Sequence, residues 1–179
     1  MLSKTFKMGL LALSLAGMTA CATQGTDSSS TDAVQLFEYH ADDGRIYVFD
    51  DVARYQAAVM GNKPPYHLNR IGAGPDGQTL VFGLSKDQAK QREIDFIQVY
   101  DGSADYDGDF YGQLQRDHRI YIADSLEEFH SARTGEPTYH VNRIAEGPEG
   151  ETLVFIQNGD NKGTPADALI QQYQTLNAQ

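Results

Sequence analysis

Two stretches carry the same polar residues at the same spacing, "YHLNRIGAGPDGQTLVF" over residues 66–82 and "YHVNRIAEGPEGETLVF" over residues 139–155. Each offers an imidazole, an amide and a guanidinium close together: His67, Asn69 and Arg70, then His140, Asn142 and Arg143. Two neutral imidazoles held side by side could bind copper, zinc or nickel, although catalytic zinc usually takes three protein ligands. Tyr66, Arg70, Tyr139 and Arg143 are of the types that dominate protein contact surfaces. A structural role is open beside these. The arginines would tie down carbonyls or carboxylates, the asparagines would satisfy backbone groups near the glycine-rich turn, and the histidines would pack. Alternation on an extended strand puts Tyr66, Leu68 and Arg70 on one face and His67, Asn69 and Ile71 on the other. Neither face is purely apolar, so the repeated set is either a binding surface for a ligand or partner or a requirement of the fold.

Other chemistry is sparse. Pro75-Asp76-Gly77 and Pro148-Glu149-Gly150 lie between apolar strands with no lysine after them, which is hairpin-turn chemistry rather than a phosphate cradle. In "DGSADYDGD", residues 101–109, Asp105, Asp107 and Asp109 match the first three calcium-loop positions. The required glycine is Phe110 and the closing acid is Arg116, so the segment reads as a solvated connector. No GxSxG or HExxH is present, and Glu127 and Glu128 read as solvent-facing charges on a helix. No catalytic residue and no cofactor is expected.

The chain opens with Lys4 and Lys7, then "MGLLALSLAGM", then small residues ending at Cys21, the order of a secretory signal. The tetrapeptide "MTAC" resembles the lipobox of bacterial lipoproteins. That resemblance implies cleavage after residue 20, lipidation of Cys21 and, since Ala22 rather than Asp follows, an outer-membrane location facing the periplasm. Residues 21–33 then form a lipid-anchored, Ser/Thr-rich tether. With the leader removed, 12 Lys and Arg remain against 25 Asp and Glu. A surface this acidic excludes nucleic acid as a partner, because phosphate binding needs a cationic face, and leaves the acyl chains as the hold on the membrane. Cys21 is the sole cysteine, so no disulfide or cysteine metal site is expected.

The similarity extends beyond the polar motif. "RIYVFD" from Arg45 matches "RIYIAD" from Arg119, and "FIQVY" from Phe96 matches "LIQQY" from Leu169, with about half of the aligned positions identical. The chain thus divides into repeat 1, residues 34–104, and repeat 2, residues 105–179. Asp42-Asp43-Gly44 signals a hairpin. Asp50 or Asp51 can cap a helix carrying Val52, Tyr55 and Val59, and Ser125 with Glu128 forms a capping-box pattern. Ile94, Ile97 and Tyr100 suit a helix, and Thr164 with Pro165 suits the start of another. The expected fold is α+β: two tandem ββαββα repeats forming one pseudo-twofold domain, with helices packed on one face of an antiparallel sheet.

The plan of paired modules, with "GPDGQTLVF", resembles the metalloenzyme superfamily built from βαβββ units. The strand-helix order differs, and no His and Glu pair stands at comparable strand positions, so no chemistry is carried over. The expected function is a non-enzymatic envelope lipoprotein contacting another envelope protein. The alternative is a small-ligand or metal-binding periplasmic protein using the repeated Tyr-His-x-Asn-Arg strand.

Overall fold

The computed structural model describes residues 33–178 apart from 105 and 107. The leader, Cys21 and most of the tether lie outside the described residues, as do two aspartates of the calcium-like segment. The first half runs β1 (Val34–His40), β2 (Arg45–Phe49), α1 (Val52–Val59), β3 (Tyr66–Arg70), β4 (Thr79–Leu84), a 3-10 turn (Gln88–Lys90) and α2 (Asp95–Tyr100). The second runs β5 (Phe110–Arg116), β6 (Arg119–Ala123), α3 (Leu126–Thr134), β7 (Tyr139–Arg143), β8 (Thr152–Gln157) and α4 (Asp167–Asn177).

Local chemistry explains most boundaries. Gly44 takes φ 76° in the β1–β2 hairpin, and Gly77 and Gly150, at φ 77° and 87°, close the turns after β3 and β7. Asp51 accepts a hydrogen bond from the Arg54 backbone N–H at 2.9 Å and starts α1. Ser125 likewise accepts from the Glu128 N–H at 3.2 Å, but the Glu128 carboxyl makes no return bond, so only half of the capping box forms. Thr164 instead donates to the Asn161 carbonyl at 2.6 Å, closing a turn, and α4 starts later, at Asp167.

All eight strands join one mixed sheet in the order β3-β4-β2-β1-β5-β6-β8-β7. The expectation of an antiparallel sheet is corrected. β1–β2, β3–β4, β5–β6 and β7–β8 are antiparallel, whereas β1–β5, β2–β4 and β6–β8 are parallel. β2–β4 and β6–β8 are parallel because α1 and α3 carry the chain across before the last hairpin of each half docks, and β1–β5 because the connection with α2 brings the chain from β4 back beside β1.

Helices cover both sheet faces, not one. Leu36, Ile46, Val48, Leu80 and Phe82 face α2 and α3, while Phe37, Tyr47, Phe49 and Val81 face α1 and α4. Consecutive apolar residues on the inner strands, such as Ile46 to Phe49, leave no face for water, so both need a helical layer. Gly112 fits the same demand: a Cβ there would stand 2.4 Å from the Phe129 ring that packs on the strand.

A carboxylate side chain is buried where the two halves meet. Glu38 on β1 is 1% exposed and accepts from the Tyr100 hydroxyl at 2.8 Å and from His40 Nε2 at 2.7 Å. Arg133 of α3 places Nε 3.0 Å from the same carboxylate, off the line of a hydrogen bond, and stacks its guanidinium 3.8 Å from the Tyr100 ring centroid. Burial, and then Glu38, push the Tyr100 phenol up; burial, and then Arg133, push the His130 imidazole down. Arg133→Ala strands the carboxylate, so urea unfolding should show a loss of about 3–5 kcal/mol. A loss no larger than at an exposed arginine would contradict this account.

Candidate functional site

β3 and β7, which carry the repeated motif, are the two free edges of the sheet. Seven strand spacings separate them, roughly 34 Å at about 4.8 Å each. They also turn opposite ways. Asn69 pairs with Val81 on the face of α1 and α4, whereas Asn142 pairs with Val154 on the face of α2 and α3. The expectation that His67 and Asn69 meet His140 and Asn142 is therefore corrected. β1 and β5 occupy the middle, and the motif strands are the outermost of each half. Among the described residues no group of three or more His, Cys, Asp or Glu could hold a metal ion.

Each edge repeats the same small geometry. His67 Nδ1 lies 3.2 Å from the Pro64 carbonyl and His140 Nδ1 3.2 Å from the Pro137 carbonyl. A carbonyl only accepts, so Nδ1 carries a proton in both rings and Nε2 is the nitrogen left facing outward from that bond. His67 and Asn69 line a cleft of about 160 Å³ with Arg45, Tyr47 and Lys63. His140 and Asn142 line one of about 510 Å³ with Arg119, Glu136 and Ile144. Among the described residues the Asn69 and Asn142 side chains make no hydrogen bond, so the expected backbone role for them is not seen.

The arginines do hold carboxylates. Arg70 reaches both oxygens of Asp101 at 2.7 Å and lies 4.9 Å from the centroid of Phe82, and Arg143 approaches Glu146 at 3.5 Å. Tyr66 is 41% exposed and Tyr139 38%. Lys162 lies 4.8 Å from the centroid of the Tyr139 ring, a cation–π contact. Both hairpin turns form where Pro75 and Pro148 stand.

A second kind of site went unread in the sequence. Glu128 is not a solvent-facing charge: it is 7% exposed, and both carboxyl oxygens are buried without a hydrogen-bond partner. Burial first, and then neighbouring Asp124, push it up to about 7. Its side chain lines a cleft of about 260 Å³ with Ser125, Ser131, Tyr139, Gln157 and Asn158. Its offset from Arg54 was the available signal. Both residues stand three places after a helix cap, one a cation and the other an acid.

Two outcomes follow. His67→Ala/His140→Ala should lower stability by less than about 1 kcal/mol per site in a thermal melt, because each exposed ring loses a single neutral hydrogen bond. Glu128 favours the protonated form when folded, so its stabilising contribution is complete below pH 4.5 and is lost as pH rises through about 7. Glu128→Gln should therefore exceed wild type in stability at pH 8, by on the order of 2 kcal/mol, and match it near pH 4. A constant difference between these pH values would refute the burial argument. No family model matches the chain, and no curated protein or solved structure is significantly similar to it, so the chain's own geometry carries the functional argument.

Proposed function

We propose that this chain is a cell-envelope lipoprotein, anchored through Cys21 in the outer membrane and facing the periplasm, whose non-enzymatic domain binds another envelope protein through its two free sheet edges. The observation that carries this is the exposure of Ile71 at 90% and Ile144 at 80%, at matching ends of β3 and β7. An isolated exposed isoleucine needs no account, but the same one at the far end of both edge strands, each of which opens on an exposed tyrosine, marks a contact surface. Edge strands also offer unpaired N–H and C=O groups, which can receive an extended segment of a partner.

The domain is built as two copies of one ββαββα module, related by an approximate twofold axis along the strands. The strand order, which reads alike outward from β1 and β5, supports this. So does the exchange of faces: α1 packs on one side and α3, its counterpart, on the other. Such an arrangement gives one contact surface per copy, at opposite edges, and lets a single chain engage two partner segments.

Photo-crosslinking residues placed at positions 71 and 144 in intact cells test this, with exposed Gln171 on α4, away from both edges, as the control. The expected result is a common protein adduct from both edges and none from position 171. Absence of any edge adduct, or the same adduct from position 171, would overturn the proposal.

A further inference from the structure

The N-terminal turns of α1 and α3 present the same backbone with different chemistry. In the first half Arg54 donates to Asp50 at 2.5 Å, and Gln88, from the 3-10 turn, reaches the other Asp50 oxygen at 2.5 Å. A guanidinium and an amide thus fill the space around that aspartate. In the second half Asp124 takes the place of Asp50 and Glu128 that of Arg54, while Asn161, the counterpart of Gln88, accepts from the Asn158 N–H as Gln88 does from Ser85 but makes no bond to Asp124 among the described residues. What remains is an acid beside an acid, facing a cleft.

We propose that the cleft between α3 and the end of β8 binds an alkylguanidinium group, which occupies in the second half the place that Arg54 fills in the first. Three observations carry it. Glu128 is more than nine-tenths buried, and neither carboxyl oxygen is hydrogen-bonded, a state that burial makes costly. The cleft it lines, about 260 Å³, has room for a guanidinium and a short alkyl stem. Its walls carry the Ser131 hydroxyl, whose oxygen has no donor among the described residues, while Ser125, Gln157 and Asn158 already accept from the Glu128, Gly163, Asp160 and Asn161 N–H groups, so Glu128 and Ser131 are the acceptors left for the forked donors of a planar cation. A divalent metal suits it less, because among the described residues no three metal-ligating side chains converge. The N-terminal end of a helix disfavours a cation, yet Arg54 sits at the same position on α1, so the geometry tolerates one. The proposal stands apart from the edge-strand reading, and failure of either leaves the other intact.

The test is a titration of the full-length chain, followed by amide NMR shifts, with butylguanidinium and separately with acetyl-Gly-Arg-Gly-amide. Saturable shifts confined to Asp124, Ser125, Gln157 and Asn158, weakened at least roughly tenfold in Glu128→Gln, are expected for a charge-assisted contact. Glu128→Arg supplies its own guanidinium and should abolish binding; Glu128→Gln keeps the test decisive where the Arg variant fails to fold. Tighter binding of the peptide would place the cation on a partner protein, and equal binding would place it on a free small molecule. No saturation by about 10 mM, or equal binding to Glu128→Gln, would overturn the proposal. So would the same shifts with calcium at lower concentration.

Discussion

A carboxylate in the middle of a sheet has to be neutralised where it stands, and the charge on Glu38 fixes how the two halves meet. Its partners come from both: His40 and Tyr100 from the first, Arg133 from the second. The apolar contacts around them, Phe82 against Tyr100 and Phe110 against Phe129, are large but tolerate sliding. An ion pair 3.0 Å long, buried where water cannot replace a lost partner, does not. α2 and α3 therefore hold one position over β1 and β5, and the parallel pairing of those strands carries the register from one half into the other.

From that junction the sheet grows outward in both directions, and burial holds until the last strand on each side. β1, β2, β5 and β6 are covered on both faces, and β4 and β8 are buried along nearly their whole length. β3 and β7 are left with exposed side chains and one unpaired backbone edge. Exposed edges invite aggregation unless they carry polar side chains, and the His, Asn and Arg of each motif supply those. The mixed polarity of the motif is thus a consequence of position. A strand at the rim of a sheet covered on both faces has no dry side to keep apolar.

This also shows how far the sequence could be read. Elements were legible because their signals are local: Asp51 and Ser125 as helix caps, and the Asp-Gly and Pro-x-Gly turns. The run Ile46 to Phe49 already held the clue to a sheet buried on both faces, since its apolar residues do not alternate. Strand order was not legible, because pairing of β1 with β5 joins residues far apart in the chain, and nothing in either strand names the other. The same non-locality misplaced the histidines at one centre. Glu38 and Glu128 were missed for a related reason. A single acid in a strand or on a helix reads as surface until its register or facing is known, and only the fold supplies those.

The two halves keep one backbone plan while exchanging charge. Arg54 in the first becomes Glu128 in the second, and Lys63 beside His67 becomes Glu136 beside His140. Glu136 then takes over two contacts that Asp43 makes in the first half, binding Arg119 at 3.2 Å and the Tyr121 hydroxyl at 2.8 Å where Asp43 binds Arg45 and Tyr47. Lys63 makes no ion pair among the described residues. Among the described residues one edge therefore offers a cation without an ion pair, and the other a carboxylate already satisfied. Under the proposed edge binding, matching backbone edges would give both ends the same reach for an extended chain, and opposite charges would give them different tolerances for what that chain carries, since a like charge held close disfavours binding. Discrimination between partners would then rest on these few exchanged side chains, and the repeated residues would supply only what the two edges have in common.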